Sequence, residues 1–157
     1  MLSLARSYGQ SQAQTVAAGT AGGIALDWAL GEVGTRYIWG GETPGVGFDC
    51  SGLVQAAYRV AGVALPRTAQ EQYDTGPQVP AGAPLEPGDL LFFGLGPNDV
   101  THVGIYVGGG QIVDAPHAGA DVRVEQAPTT PGAPWGQDRL VGITDPALGS
   151  TGIARRR

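Results

Sequence analysis

Apolar residues fall at helical intervals in the first half of the chain and at alternating positions in the second. Between Ile24 and Val33, the residues Ile24, Trp28 and Leu30 to Val33 surround Asp27 and Glu32, which predicts a short amphipathic helix stopped by Gly34. After Cys50, the residues Leu53, Val54, Ala57, Val60 and Ala61 recur at helical spacing until Gly62. That pattern predicts a second helix with Asp49 as N-cap and Cys50 as its first residue. Leu65 to Tyr73 reads as a loop with one further helical turn, and the prolines between Gly76 and Pro87 predict an irregular connection. From Asp89 onwards short β-type runs alternate with turn signals. They predict strands over 89–93, 101–107, 111–115, 121–125 and 140–144. Helices first and strands afterwards give an α+β chain with an antiparallel sheet.

Length and composition narrow the picture. A chain of 157 residues makes one domain with a substantial core. Residues 1–22 are polar, Ala- and Gly-rich and weakly periodic, so they read as a linker or loosely held helix before a folded domain at 23–145 and a tail at 146–157. The 9 basic side chains, all arginine, face 14 acidic ones, and three of the nine sit in the final Arg155 to Arg157. Such a surface gives no footprint for nucleic acid. No window approaches the length of an apolar membrane span. The first 23 residues show no charged region followed by an apolar core, so no secretory signal is read there. A monomer is expected.

The single cysteine is where chemistry enters. The plain reading of a lone cysteine is a small buried hydrophobe. Against it stands the context: Gly40, Gly41, Gly45 and Gly47 make an irregular loop before Cys50. Gly52 lies inside the first helical turn, where it costs about 1 kcal/mol relative to Ala. Either close packing or an approaching substrate backbone must need the missing side chain. An anionic sulfur at this position would face unpaired amides at the positive end of the helix dipole. Asp49 opposes it unless capping turns its oxygens toward the helix amides. A reactive thiol needs an imidazole, and only His102 and His117 are on offer. In VTHVGIYV, alternation puts His102, Gly104 and Tyr106 on the less apolar face. A zinc site of Cys50, His102, His117 and Asp114 uses acceptable ligands but lacks the closely spaced pairs that mark zinc sequences, so no metal is expected. Asp89 and Asp99 fall in no motif, and the glycines at 108–110 make a turn.

The ordered set YIWGG, FDCSGL, LPRT, PGDLLFF and THVGIYVGGGQIVDAP resembles the NlpC/P60 family of papain-like cysteine peptidases that cut bacterial cell-wall peptides. The likeness runs from about Ile24 to Val141, and its DAP end is similar to mycobacterial Rip-type endopeptidases. The resemblance implies a papain-like fold, with N-terminal helices and the nucleophile helix packed on a C-terminal antiparallel sheet of five to six strands. It implies Cys50 as nucleophile, His102 as general base, Asp114 as the group orienting the imidazole, and the Tyr37 hydroxyl beside the Cys50 amide at the oxyanion. Asp49, Ser51, Arg67 and Trp39 match positions near the substrate. Asp114 departs from the His or Glu often found third, and its shorter side chain reaches less far. No cofactor is implied. The implied partner is the peptidoglycan stem peptide, cut between D-glutamate and a diamino acid by a secreted or envelope enzyme. A wall-binding module without turnover and an amidase or acyltransferase are the competing readings.

Strand register decides between Asp114 and His117. A three-residue loop at Gly108 to Gly110 pairs Val107 with Gln111 and sets Gly104 opposite Asp114, leaving His102 and Asp114 as diagonal neighbours on one face. A two-residue loop would turn Asp114 away and bring Ala115 or His117 beside His102.

Overall fold

The computed structural model describes residues 20–151. The Thr20 hydroxyl accepts from the Gly23 amide, so the first helix, α1, runs Ala21–Leu30. It starts earlier than the apolar spacing predicts because the cap lies in the segment read as linker, whose residues 1–19 fall outside the described part. The expected stop at Gly34 is instead a turn over residues 31–34. The second helix, α2, runs Cys50–Val60 with Asp49 as its N-cap, as predicted. Its buried face, including Leu53, Val54, Ala57 and Tyr58, packs with α1 residues Ala25, Leu26 and Leu30 in the main core.

Between these helices, the loop expected to be irregular contains a small hairpin of β1 (Glu42–Thr43) and β2 (Gly47–Phe48). The helical turn expected near Tyr73 is a full helix, α3, at Ala69–Thr75. Thr68 and Glu71 cap it reciprocally, each side chain bonding the other's backbone amide.

The second half forms one six-stranded antiparallel sheet from β3 (Leu90–Gly96), β4 (Asp99–Gly108), β5 (Gln111–Asp114), β6 (Arg123–Gln126), β7 (Pro134–Trp135) and β8 (Asp138–Thr144). The order is β6-β5-β4-β3-β8-β7, a meander whose last hairpin returns to the free edge of β3. All five predicted strands are present with shifted ends, and β7 is the one the residue pattern does not predict. Alternation divides the sheet into two faces. Phe92, Val103, Ile105 and Val113 join the helices in the main core. Leu91, Phe93, Ile112 and Leu140 form a second cluster, covered by Val79, Leu85, Ala127 and Trp135. The fold is α+β, with helix α2 laid on the antiparallel sheet. The expected tail at 146–157 begins with a short helix, α4 (Pro146–Thr151). Among the described residues no helix is long and apolar enough to cross a membrane.

The β4–β5 hairpin answers the register question in a way neither loop length anticipates. Gly108 pairs with Gln111 around a two-residue turn, Gly109 and Gly110, at φ +61° and +78°. Both positive values suit the type I′ turn that matches strand twist. The next pairs, Tyr106 with Ile112 and Ile105 with Val113, leave Val107 as an extra bulged residue. The bulge restores the inner register expected of the longer loop. A β-carbon on Gly104 would lie 3.3 Å from that of Asp114, closer than the usual cross-strand spacing, so the glycine lets the two strands sit close beside the carboxylate.

Candidate active site

The site begins with the cap of α2. Asp49 Oδ1 accepts the Gly52 amide at 2.8 Å and Oδ2 accepts the Gly40 amide at 3.1 Å. Its carboxylate is thus turned toward backbone donors, which is the compensation a thiol at the next position requires. Arg67 Nη2 bonds Asp49 Oδ2 at 3.0 Å and the Gly41 carbonyl at 3.2 Å, while Nη1 bonds Ser51 Oγ at 2.9 Å. The hydrogen bond that Arg67 donates to Asp49 leads the influences that hold the guanidinium above its ordinary pKa. Asp49, Ser51 and Arg67 therefore form one polar cluster beside the sulfur.

Gly52 is needed for close packing. A β-carbon there would stand 2.1 Å from the Gly41 carbonyl oxygen and 2.9 Å from Asp49 Oδ1. The loop backbone lies directly on the first turn of α2. From below, buried Gln72 donates to the carbonyls of Ser51 at 3.1 Å and Pro66 at 2.9 Å, tying α3 to the same turn.

Strand β4 supplies the other half. Cys50 Sγ lies 3.9 Å from the Thr101 carbonyl oxygen, and the next residue, His102, interacts electrostatically with Cys50. His102 Nε2 lies 2.7 Å from Asp114 Oδ2, leaving Nδ1 as the ring nitrogen for Cys50. The Asp114 side chain is completely buried and that of His102 is 14% exposed. Burial pulls the imidazole pKa down, but hydrogen bonds and charge from Asp114 and Cys50 prevail and raise it from 6.5 to about 10. Phe93, paired across from His102, and Trp135 from β7 have ring centroids 5.9 Å from the imidazole. Both rings are tilted against the imidazole, at 38° and 37°. Cys50, His102 and Asp114 thus meet as the sequence predicts, whereas His117 bonds the Ala118 carbonyl and stands on the wall of the cleft.

Tyr37 is partly buried against the core beside the same loop. Burial, then the charges of Cys50 and Asp49, raise its pKa against the opposing pull of Arg67, which keeps the hydroxyl a donor. Trp39 is not brought into the cluster. It projects from the loop at 87% exposure. A cleft of about 360 Å³ opens on the far side of His102, lined by Thr101, His117, Arg123, Glu125, Trp135 and Asp138 among others. Among the described residues no group of three His, Cys, Asp or Glu side chains is arranged to hold a metal ion.

The order helix-borne thiol, strand-borne imidazole and buried carboxylate coincides with a match of residues 34–139 to the NlpC/P60 family. The chain belongs to the NlpC/P60 family. Over 114 residues, 71% of this chain and 44% of the relative, it is 39% identical to the probable endopeptidase YafL of Escherichia coli. Over 93 residues, 58% of this chain and 28% of the relative, it is 46% identical to the bifunctional muramidase/DL-endopeptidase CwlT of Bacillus subtilis. A solved structure of RipA, the resuscitation promoting factor interacting protein of Mycobacterium tuberculosis, superposes with a TM-score of 0.63 at 31% identity, covering 88% of this chain and 66% of that one. The chain spans less than half the length of these curated relatives. Within this NlpC/P60 site, Phe93, Trp135, Gln72 and Glu125 are the participants that the sequence reading misses. Only Gln72 had a local signal, since Thr68 and Glu71 at capping-box spacing announce the helix that carries it.

Proposed function

We propose that this NlpC/P60 domain is a peptidoglycan D,L-endopeptidase that cleaves the stem peptide between D-glutamate and a diamino acid, meso-diaminopimelate being the expected one. The observation that carries the reading is the contact of His102 Nε2 with the buried carboxylate of Asp114 at 2.7 Å, on a strand whose preceding residue, Thr101, meets the Cys50 sulfur through its carbonyl. That arrangement holds the imidazole in the tautomer and orientation a general base needs. Endopeptidase relatives supply the substrate class.

In this mechanism the proton of Cys50 resides on His102 Nδ1, as the raised imidazole pKa implies, and Sγ attacks the carbonyl carbon of the scissile amide. The carbonyl oxygen becomes an oxyanion, for which the Cys50 backbone amide and the Tyr37 hydroxyl serve as donors. His102 returns the proton to the leaving nitrogen as the C–N bond breaks, and a thioester remains on Cys50. A water molecule then attacks the thioester, His102 takes its proton, and the free carboxylate departs as the thiol is restored. Asp114 keeps its charge throughout and stabilises the imidazolium. Asp49, Ser51 and Arg67 form the polar wall on one side of the sulfur, and Trp39 offers an exposed aromatic face at the rim. The protein works in the envelope or outside the cell, as a monomer without a cofactor.

Incubating the protein with isolated stem peptides and identifying the products by mass spectrometry tests this reading. New termini at D-glutamate and at the diamino acid are expected from wild type, and no products from Cys50→Ala. Products from the alanine variant, or a different cut bond in wild type, would refute the cysteine mechanism or the assigned specificity respectively.

A further inference from the structure

Two carboxylate oxygens behind His102 are buried without any donor: Asp114 Oδ1 and Glu125 Oε2. Each residue's other oxygen is occupied. Asp114 Oδ2 faces His102 Nε2 at 2.7 Å, and Glu125 Oε1 receives Arg123 Nη2 at 3.2 Å. Strand pairing explains why the remaining two meet. Asp114 pairs with Arg123 and Ile112 with Glu125, so Glu125 is the diagonal neighbour of Asp114 on the same face. The register sets their carboxyl groups side by side on that face. Two ionised carboxylates are both acceptors and cannot satisfy each other. One proton between them satisfies both oxygens.

We infer that Glu125 is protonated at neutral pH and donates its Oε2–H to Asp114 Oδ1, making it a positioning residue that fixes the carboxylate which in turn fixes His102. The part this plays in turnover rests on the proposed peptidase reading. Asp114 then remains ionised with a donor on each oxygen, and its plane is set from both sides. Burial favours the neutral form of Glu125, the bond to Asp114 and its charge add to this, and Arg123 opposes them. The other titratable groups around Glu125 are His102 from β4, and His117 and Asp138 across the cleft. An ionised Glu125 would instead repel Asp114 and free its carboxylate to turn away from Nε2.

Glu125→Gln supplies an amide N–H donor that does not titrate, whereas Glu125→Ala supplies none. Infrared spectra of wild type at pH 7 are expected to show a neutral carboxylic-acid C=O band that shifts in D2O and is missing from Glu125→Gln. Glu125→Gln keeps kcat on stem peptide within about threefold of wild type, and Glu125→Ala loses about tenfold or more with KM little changed. Alkylation of Cys50 by iodoacetamide, which needs no substrate, slows in Glu125→Ala and not in Glu125→Gln. A wild-type spectrum without the band, a band that persists in Glu125→Gln, or wild-type kcat and alkylation in Glu125→Ala overturns the inference. Should Glu125→Ala fail to fold, the spectra and the Glu125→Gln rates decide. If the spectra and alkylation rates follow expectation while wild type leaves stem peptide uncut, the shared proton stands and the peptidase reading falls.

Discussion

Replacing Asp114 with alanine should separate the orienting carboxylate from everything else in the site. The side chain is fully buried and its Oδ2 lies 2.7 Å from His102 Nε2. A hydrogen bond to a charged group contributes about 1.5–3 kcal/mol, and a buried donor left unpaired costs about 1–3 kcal/mol. If roughly 3 kcal/mol of this appears in the barrier, kcat falls about 150-fold. Hydrolysis of stem peptide followed by mass spectrometry measures that loss, with His117→Ala as the control expected to stay within about twofold. Protonation gives a second readout. The folded imidazole pKa is raised from 6.5 to about 10, so its contribution to stability is complete below pH 6.5 and is lost as pH rises toward 10. Removing Asp114 removes one of the two partners that raise it, so the alkaline limb of the rate profile moves to lower pH. The loss of stability between pH 6.5 and 10 also becomes shallower. Wild-type kcat in Asp114→Ala, or a large loss in His117→Ala, would show that the imidazole is oriented by a different group.

Three further substitutions probe the rest of the site. Cys50→Ala should abolish hydrolysis while leaving the circular dichroism spectrum and melting temperature close to wild type, since only a partly exposed sulfur is removed; residual turnover would remove the thiol from the mechanism. Tyr37→Phe should cost about 2–3 kcal/mol of transition-state stabilisation with little change in urea midpoint, and unchanged turnover would assign Tyr37 to packing alone. Gly52→Ala should lower stability by about 3 kcal/mol or more, because the new methyl meets the Gly41 carbonyl oxygen at 2.1 Å and Asp49 Oδ1 at 2.9 Å; an unshifted urea midpoint would contradict that clash.

What could be read from sequence follows the range of the forces involved. Helix α2 was legible because cap, apolar spacing and the terminating Gly62 all lie within fourteen residues of one another, from Asp49 to Gly62. The meeting of His102 with Asp114 was legible because they share a hairpin, where alternation and turn length fix the face. Trp135 and Glu125 were not. Trp135 reaches His102 only because β8 returns to β3 and carries β7 with it, a pairing of distant segments that leaves no local trace. In DVRVEQ the apolar Val122 and Val124 alternate with Arg123 and Glu125, the pattern of a solvent-facing edge. That Glu125 instead puts one oxygen out of water depends on β5 beside it. The β1–β2 hairpin leaves no signal in the sequence because two-residue strands are too short for any periodicity.

The bulge at Val107 gives this hairpin a spare residue. Removing Val107 alone would bring Gly108 against Gln111 in continuous register with Tyr106 and Ile112, so the turn would survive and Asp114 would keep its face. The penalty would be the buried valine side chain itself. A single deletion between Ile112 and Asp114 has no such outlet and would send the carboxylate to the opposite side of the sheet. Within the paired strands, a change in chain length that leaves His102 and Asp114 on one face is therefore accommodated at the bulge. Related chains that differ in length in this hairpin are expected to differ there.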